Sequence, residues 1–155
     1  MQDLSSLSAL LAQAERRRDL AIADEAAART VHAQARGKAD ELVAYRRSYE
    51  QRWSGAFTAE GAIELVRCYQ GFVERLTQAI EHQERATALA ESRMLRATEA
   101  MRELEVRAAA IQKLIDRRTK ELLLAADRRE QRQSDEFSAR VAWNRQLTLS
   151  QPTIA

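Results

Sequence analysis

Helix breakers are nearly absent from this chain outside one short stretch. Its 155 residues hold four glycines and one proline, and Pro152 lies close to the carboxy-terminal end. Alanine, leucine, arginine, glutamate and glutamine dominate the rest, and all of them favour helix. The stretch Trp53-Ser-Gly-Ala-Phe-Thr-Ala-Glu-Gly61 interrupts that pattern. It divides the chain into a helix over about 3–53, a turn over about 54–61 and a second helix over about 62–147, with a flexible tail over about 148–155. All of 1–155 is expected to form one domain.

The pairing surface follows from periodicity. From Leu4, steps of three and four residues give Leu7, Leu11, Ala14, Arg18, Ala21, Glu25, Ala28, His32, Ala35, Ala39, Leu42, Arg46 and Tyr49. Most are apolar with polar residues between them, the pattern of a coiled-coil seam. In the second helix Met94, Ala97, Met101, Leu104, Ala108, Ile111, Ile115, Arg118, Leu122 and Ala125 repeat it. Upstream, Phe72, Leu76, Ala79, Gln83, Ala86 and Ala90 continue the seam with a shift of phase, read as a local unwinding. Alanine makes the seam thin, so two helices approach closely and gain little from each contact.

Two helices joined by a short glycine-containing loop pack antiparallel. The expected fold is all-α, a long antiparallel two-helix coiled coil with an overhanging carboxy-terminal helix. A turn centred near residue 58 places residue i opposite about 116 − i, within several positions. The first helix then spans roughly 75 Å and the second on the order of 130 Å. From about residue 110 onward the second helix has no partner within the chain, although Ile111, Ile115, Leu122, Leu123, Leu124 and Phe137 lie there. An exposed apolar stripe of that size marks a binding surface. The alternative is a homodimer that pairs the two arms.

Composition narrows the function classes. Charged residues make up 31% of the chain, yet the net charge is only +2, with opposite signs interleaved. That mixture argues against a nucleic-acid binder, which needs a patch of one sign. The single cysteine, Cys68, excludes an internal disulfide and fits a reducing compartment. It is expected as a small seam residue rather than a nucleophile. No basic run precedes an apolar one at the amino terminus and no segment has the length of a membrane span, so a cytoplasmic protein is expected. His32 and His82 lack cysteine or carboxylate neighbours at metal-ligand spacing, and no glycine-rich phosphate loop is present. Neither a cofactor nor an enzymatic activity is expected.

Two features point to partners. Tyr45 and Tyr49 lie four residues apart on one helical face, with Tyr69 and Phe72 approaching from the other helix and Trp53 and Phe57 nearer the turn. Such rings wedge the hairpin and fix its register, but tyrosines at a two-helix seam also leave aromatic surface for a partner. The second feature is the arm from Asp116 to Arg140, where opposite charges alternate at helical spacing around the unpaired apolar stripe. That combination suits an arm docking on a helical protein or entering a charged opening.

The runs Tyr45-Arg-Arg-Ser-Tyr49, Cys68-Tyr-Gln-Gly-Phe72, Leu76 and Gln78-Ala-Ile-Glu-His-Gln83 resemble the turn-proximal core of the flagellar FliJ proteins. Asp116-Arg117, Gln131-Arg-Gln-Ser-Asp-Glu-Phe137 and Arg140 are similar to that family's carboxy-terminal pattern. The resemblance covers nearly the whole chain, including its length and the position of the break. Each motif alone is degenerate, and their joint order carries the specificity.

What the resemblance implies is a stalk-like coiled coil of the flagellar type III export apparatus. Such a protein binds and stimulates the hexameric export ATPase and links it to the membrane export gate. It also serves as a general chaperone or escort of export chaperones. It would lie in the cytoplasm, peripheral to the inner membrane through its partners. By the same resemblance, Leu42, Tyr45, Tyr49, Phe72, Leu76 and Ala79 correspond to the gate-binding patch. Lys38 and Gln83 depart from the family, which can show glutamine and histidine there. The arm, through Asp116, Arg117, Leu122, Gln131, Asp135, Glu136, Phe137 and Arg140, is implied as the ATPase contact. The alternatives are the equivalent stalk of a virulence-type secretion system and a structural homodimeric coiled coil.

Overall fold

A computed structural model describes residues 2–55 and 63–150, the side chain of Gln2 excepted. Two helices account for nearly all of them: α1, Gln2–Trp53, and α2, Ile63–Leu149. Most of the expected turn, with Phe57 and Gly61, lies outside the described residues, as does the end of the expected tail. Asp3 in the first turn of α1 and Arg52 in its last turn complement the helix dipole. The α1 helix closes as Ser54 N–H donates to the Glu50 carbonyl at 3.0 Å and its hydroxyl to Gln51 at 2.9 Å. Ser150 closes α2 in the same way, through Gln146 and Leu147.

The chain divides into two compact units. In the larger, residues 13–108, α1 and α2 pack antiparallel along a thin seam. On α1, the three-and-four series from Ala14 through Tyr49 is shielded from solvent at every step, and Trp53 extends it. Its most buried members are Ala14, Ala21 and Glu25. On α2 the buried residues of this unit are Leu76, Ile80, Ala90 and Ala108. No large side chain among the described residues is fully enclosed. Each buried alanine removes little apolar area from water, at roughly 25 cal/mol per Å². Stability is therefore spread along the seam rather than concentrated in a core.

Three expectations are corrected in this unit. The phase shift near residue 79 is absent: Ala79 is exposed and Ile80, 4% exposed, takes the seam position. With Ile80 included, Val66, Tyr69, Val73, Leu76, Ile80 and Gln83 keep one heptad phase through Ala108. A branched side chain gains more from the seam than a methyl group, so it sets the helix rotation. Cys68 is exposed, because Val66 and Tyr69 hold the neighbouring seam positions. Finally, partners lie further along α2 than a turn centred on residue 58 places them. Gln83 meets Ala35, within the expected span around residue 81, but Thr98 meets Glu25, where a residue near 91 was expected.

The smaller unit comprises residues 1–12 and 109–155. Here Leu4, Leu7 and Leu11 are half-buried, as are Ile111 and Ile115. Asp3, Leu4 and Leu7 border a shallow groove with Arg118, Glu121 and Leu122, and Arg118 lies 3.9 Å from the Asp3 carboxylate. From Asp116 to Ser150 every residue is exposed. The uncovered arm thus begins several residues later than the expected 110, because within this unit the first turns of α1 lie beside Arg118 and Leu122.

Candidate protein-interaction surfaces

Five aromatic side chains of the larger unit form one connected cluster. Tyr49 is its centre, stacked on Tyr69 at 5.6 Å between centroids and 7° between planes. It also meets Phe72 at 4.4 Å and Trp53 at 5.9 Å. Tyr45 approaches Phe72 edge-on at 6.3 Å and 71°. Such pairs add about 0.5–1.5 kcal/mol each beyond their burial. The cluster therefore anchors the pairing of α1 and α2 near the chain reversal.

The six residues of the expected gate patch do not play one role. Leu76 is 8% exposed and belongs to the seam, while Leu42, Tyr49 and Phe72 are partly covered. Tyr45 and Ala79 are exposed. Gln83, one of the two departures from the family pattern, turns inward and donates to the Ala35 carbonyl. Lys38, the other departure, is exposed.

The heptad explains which side of the seam is apolar. One flank carries Val31, Lys38 and Tyr45 of α1 with Leu65, Phe72, Ala79 and Ala86 of α2. The opposite flank carries Arg29, Arg36, Val43 and Glu50 with Gln70, Thr77, Glu84 and Glu91. On the first flank Val31 is 53% and Leu65 42% exposed, and neither was singled out from sequence. Their signal is the flanking heptad position, legible only once both seam phases are known.

Arg46 Nη1 lies 3.4 Å from the Thr77 hydroxyl, on the polar side of the seam. Glu25 takes the guanidinium of Arg29 on its own helix and the Thr98 hydroxyl across the seam. These polar contacts distinguish one register from its neighbours, which an alanine stripe alone does weakly.

In the smaller unit, Asp116 accepts from Gln112 at 2.8 Å and Arg117 pairs with Glu121 at 3.3 Å, both within α2. Leu122 borders the groove beside Leu4 and Leu7. Gln131, Asp135, Glu136 and Arg140 stand in solvent, and Phe137 is 70% exposed. Phe137 and Val141 share a shallow helical groove with Arg145 and Leu149. Val141, Trp143, Leu147 and Leu149 extend the apolar character of the arm beyond the stripe expected from sequence. Their spacing after Phe137 was a readable signal.

No cluster of three histidine, cysteine or carboxylate side chains able to hold a metal occurs among the described residues. No helix there is long and apolar enough to cross a membrane.

A family model described as the flagellar FliJ protein matches residues 2–147. Neither the curated proteins nor the solved structures gave a match.

Proposed function

Because this chain belongs to the flagellar FliJ family and so is a component of flagellar type III export, we propose that it works there as a stalk between ATPase and gate. The family is associated with export rather than with catalysis. The arm of α2, through Asp116, Arg117, Leu122, Gln131, Asp135, Glu136, Phe137 and Arg140, engages the hexameric export ATPase and raises its activity. The apolar flank around Tyr45, Phe72 and Ala79 meets the cytoplasmic domain of the export gate, with Leu42, Tyr49 and Leu76 supporting it from the seam. The same protein escorts export chaperones, at the cytoplasmic face of the inner membrane.

The observation that carries this reading is the family match over residues 2–147 together with an arm exposed from Asp116 onward. An uncovered helix bearing large apolar groups among alternating charges suits a partner surface of the same make-up. A close alanine seam keeps the two-helix portion slender, as entry into a ring requires. One stalk among six subunits contacts them unequally, which biases some catalytic interfaces over others.

The test is a chain ending at Arg117, compared with the full chain for stimulation of the export ATPase. The shortened chain is expected to stay helical by circular dichroism and to lose stimulation. Undiminished stimulation removes the arm from the ATPase contact.

A further inference from the structure

The apolar flank of the larger unit carries one cation at its middle. Val31, Lys38 and Tyr45 follow one another by seven residues and share one heptad position of α1. Val31 and Tyr45 are each 53% exposed. Gln83 meets Ala35 across the seam, so the α2 residues of this flank on either side of Lys38 are Ala79 and Ala86. Lys38 is exposed and, among the described residues, has no ion-pair or hydrogen-bond partner. Glu41, one turn along α1, does not pair with it.

The two sides of this unit differ in charge as well as in polarity. Over residues 31–52 of α1 and 65–96 of α2, the apolar flank and its outer rim carry Lys38, Arg52, Arg75, Arg93 and Arg96 against one acid, Glu41. The opposite side over the same ranges carries Asp40, Glu50, Glu74, Glu81, Glu84 and Glu91 against Arg36, Arg47 and Arg67. A partner with an acidic, partly apolar face is therefore drawn to the first side and repelled from the second.

We propose that the export-gate domain presents a carboxylate to Lys38 within an otherwise apolar contact, and that this pair fixes where the gate docks. The proposal rests on the gate reading above and names the chemistry of that contact. A surface that covers Val31, Tyr45 and Ala79 also covers the lysine stem and strips water from its ammonium. Left unpaired, that charge opposes docking. A carboxylate opposite it offsets the cost and gives the apolar contact a fixed position. The methyl groups of Ala79 and Ala86 leave room for an acidic side chain to reach the ammonium. The same cation excludes a basic partner from this flank.

The full chain is to be titrated calorimetrically with the gate's cytoplasmic domain at about 50 and about 500 mM salt. Parent binding is expected to weaken as salt rises. Lys38→Gln is expected to weaken binding at low salt by at least about tenfold and to be less salt-dependent than the parent. Lys38→Glu is expected to weaken it further, since it sets two carboxylates together. Arg47→Gln makes the same change of net charge on the acidic side and is expected to bind as the parent does. Both residues are exposed, so far-UV circular dichroism is expected to stay unchanged. A Lys38→Gln chain that binds like the parent, while Tyr45→Ala does not, overturns the charge pair and leaves the gate reading standing. Equal losses for Arg47→Gln and Lys38→Gln overturn the pair as well, because net charge then suffices. A parent chain that does not bind the gate domain, or a Tyr45→Ala chain that binds it normally, removes the flank as the contact and the pair with it.

Discussion

The side-chain amide of Gln83 on α2 donates to the backbone carbonyl of Ala35 on α1 at 3.0 Å, across the seam of the larger unit. A helical carbonyl keeps a second lone pair after serving its own helix, and the small side chain of Ala35 leaves that oxygen accessible. The contact fixes one relative position of the helices in a stripe where neighbouring registers differ little in apolar burial. Gln83→Ala is expected to lower unfolding stability by about 1 kcal/mol, the usual net value of such a bond. Urea denaturation followed by circular dichroism measures it, and an unchanged midpoint contradicts a role in holding the register.

Glu25 and Arg29 supply a second register device and a sharper test. Glu25 is 8% exposed, and its carboxylate is held by Arg29 and by Thr98 at 3.5 Å. Removing Arg29 leaves a shielded carboxylate with a hydroxyl alone, so Arg29→Ala is expected to destabilise by about 1 kcal/mol. Replacing the charge itself by Glu25→Leu is expected to be neutral or stabilising by about 1 kcal/mol, because the desolvation cost disappears. In the Glu25→Leu background, Arg29→Ala is expected to have little effect. Independent, additive losses show that the pair is not coupled.

The neighbours Ala79 and Ile80 test the heptad phase of α2. Ile80 is 4% exposed and Ala79 faces solvent. Ile80→Ala is expected to cost about 2–5 kcal/mol, as emptying a packed position does. Ala79→Leu is expected to change stability by no more than about 0.5 kcal/mol. The reverse ranking, read from thermal unfolding of both variants, restores the phase shift near residue 79.

Most of α1 was legible because a heptad is a local rule. The series from Leu4 to Tyr49 follows from 3.6 residues per turn, and each member is shielded. Pairing between helices was less legible, since it depends on the turn and on cross-seam contacts such as Gln83 to Ala35. A choice between Ala79 and Ile80 likewise needs the whole phase of α2, because both fit one local step. In the patch, spacing brought Tyr45, Tyr49 and Phe72 together correctly. It did not separate Leu76, which serves the seam, from Tyr45, which reaches solvent. Val31 and Leu65 went unnoticed because they contribute to a flank shared by two helices.

The arm allows a prediction about dynamics. A helix without tertiary burial is held by intrahelical bonds alone, and these open easily. Residues 123–149 have no shielded member, whereas residues 76–108 pack against α1 within the larger unit. Amide hydrogen exchange is therefore expected to be faster in 123–149 by at least about tenfold, an opening difference of about 1.4 kcal/mol. Adding the export ATPase is expected to slow exchange in the arm and leave 76–108 little changed. Equal protection in both segments of the free chain indicates that the arm is covered.

Tyr45 and Tyr49 separate binding from folding, because one displays its ring and the other packs it against three neighbours. Tyr49 contacts Trp53, Tyr69 and Phe72, while Tyr45 contacts Phe72 and remains 53% exposed. Tyr49→Ala is expected to destabilise the larger unit by about 3 kcal/mol, the lower end for a packed aromatic removed to alanine. Tyr45→Ala is expected to cost about 1 kcal/mol, since one edge-on contact is lost. For the gate the order reverses once loss of folded protein is accounted for. Tyr45→Ala is expected to weaken binding to the gate's cytoplasmic domain by about tenfold or more, as loss of an exposed aromatic anchor does. Stimulation of the ATPase, assigned to the arm, is expected to persist in that variant. Calorimetric titration with the gate domain and an ATPase assay on one preparation check both. A Tyr45→Ala chain that binds the gate domain normally moves the contact away from this flank.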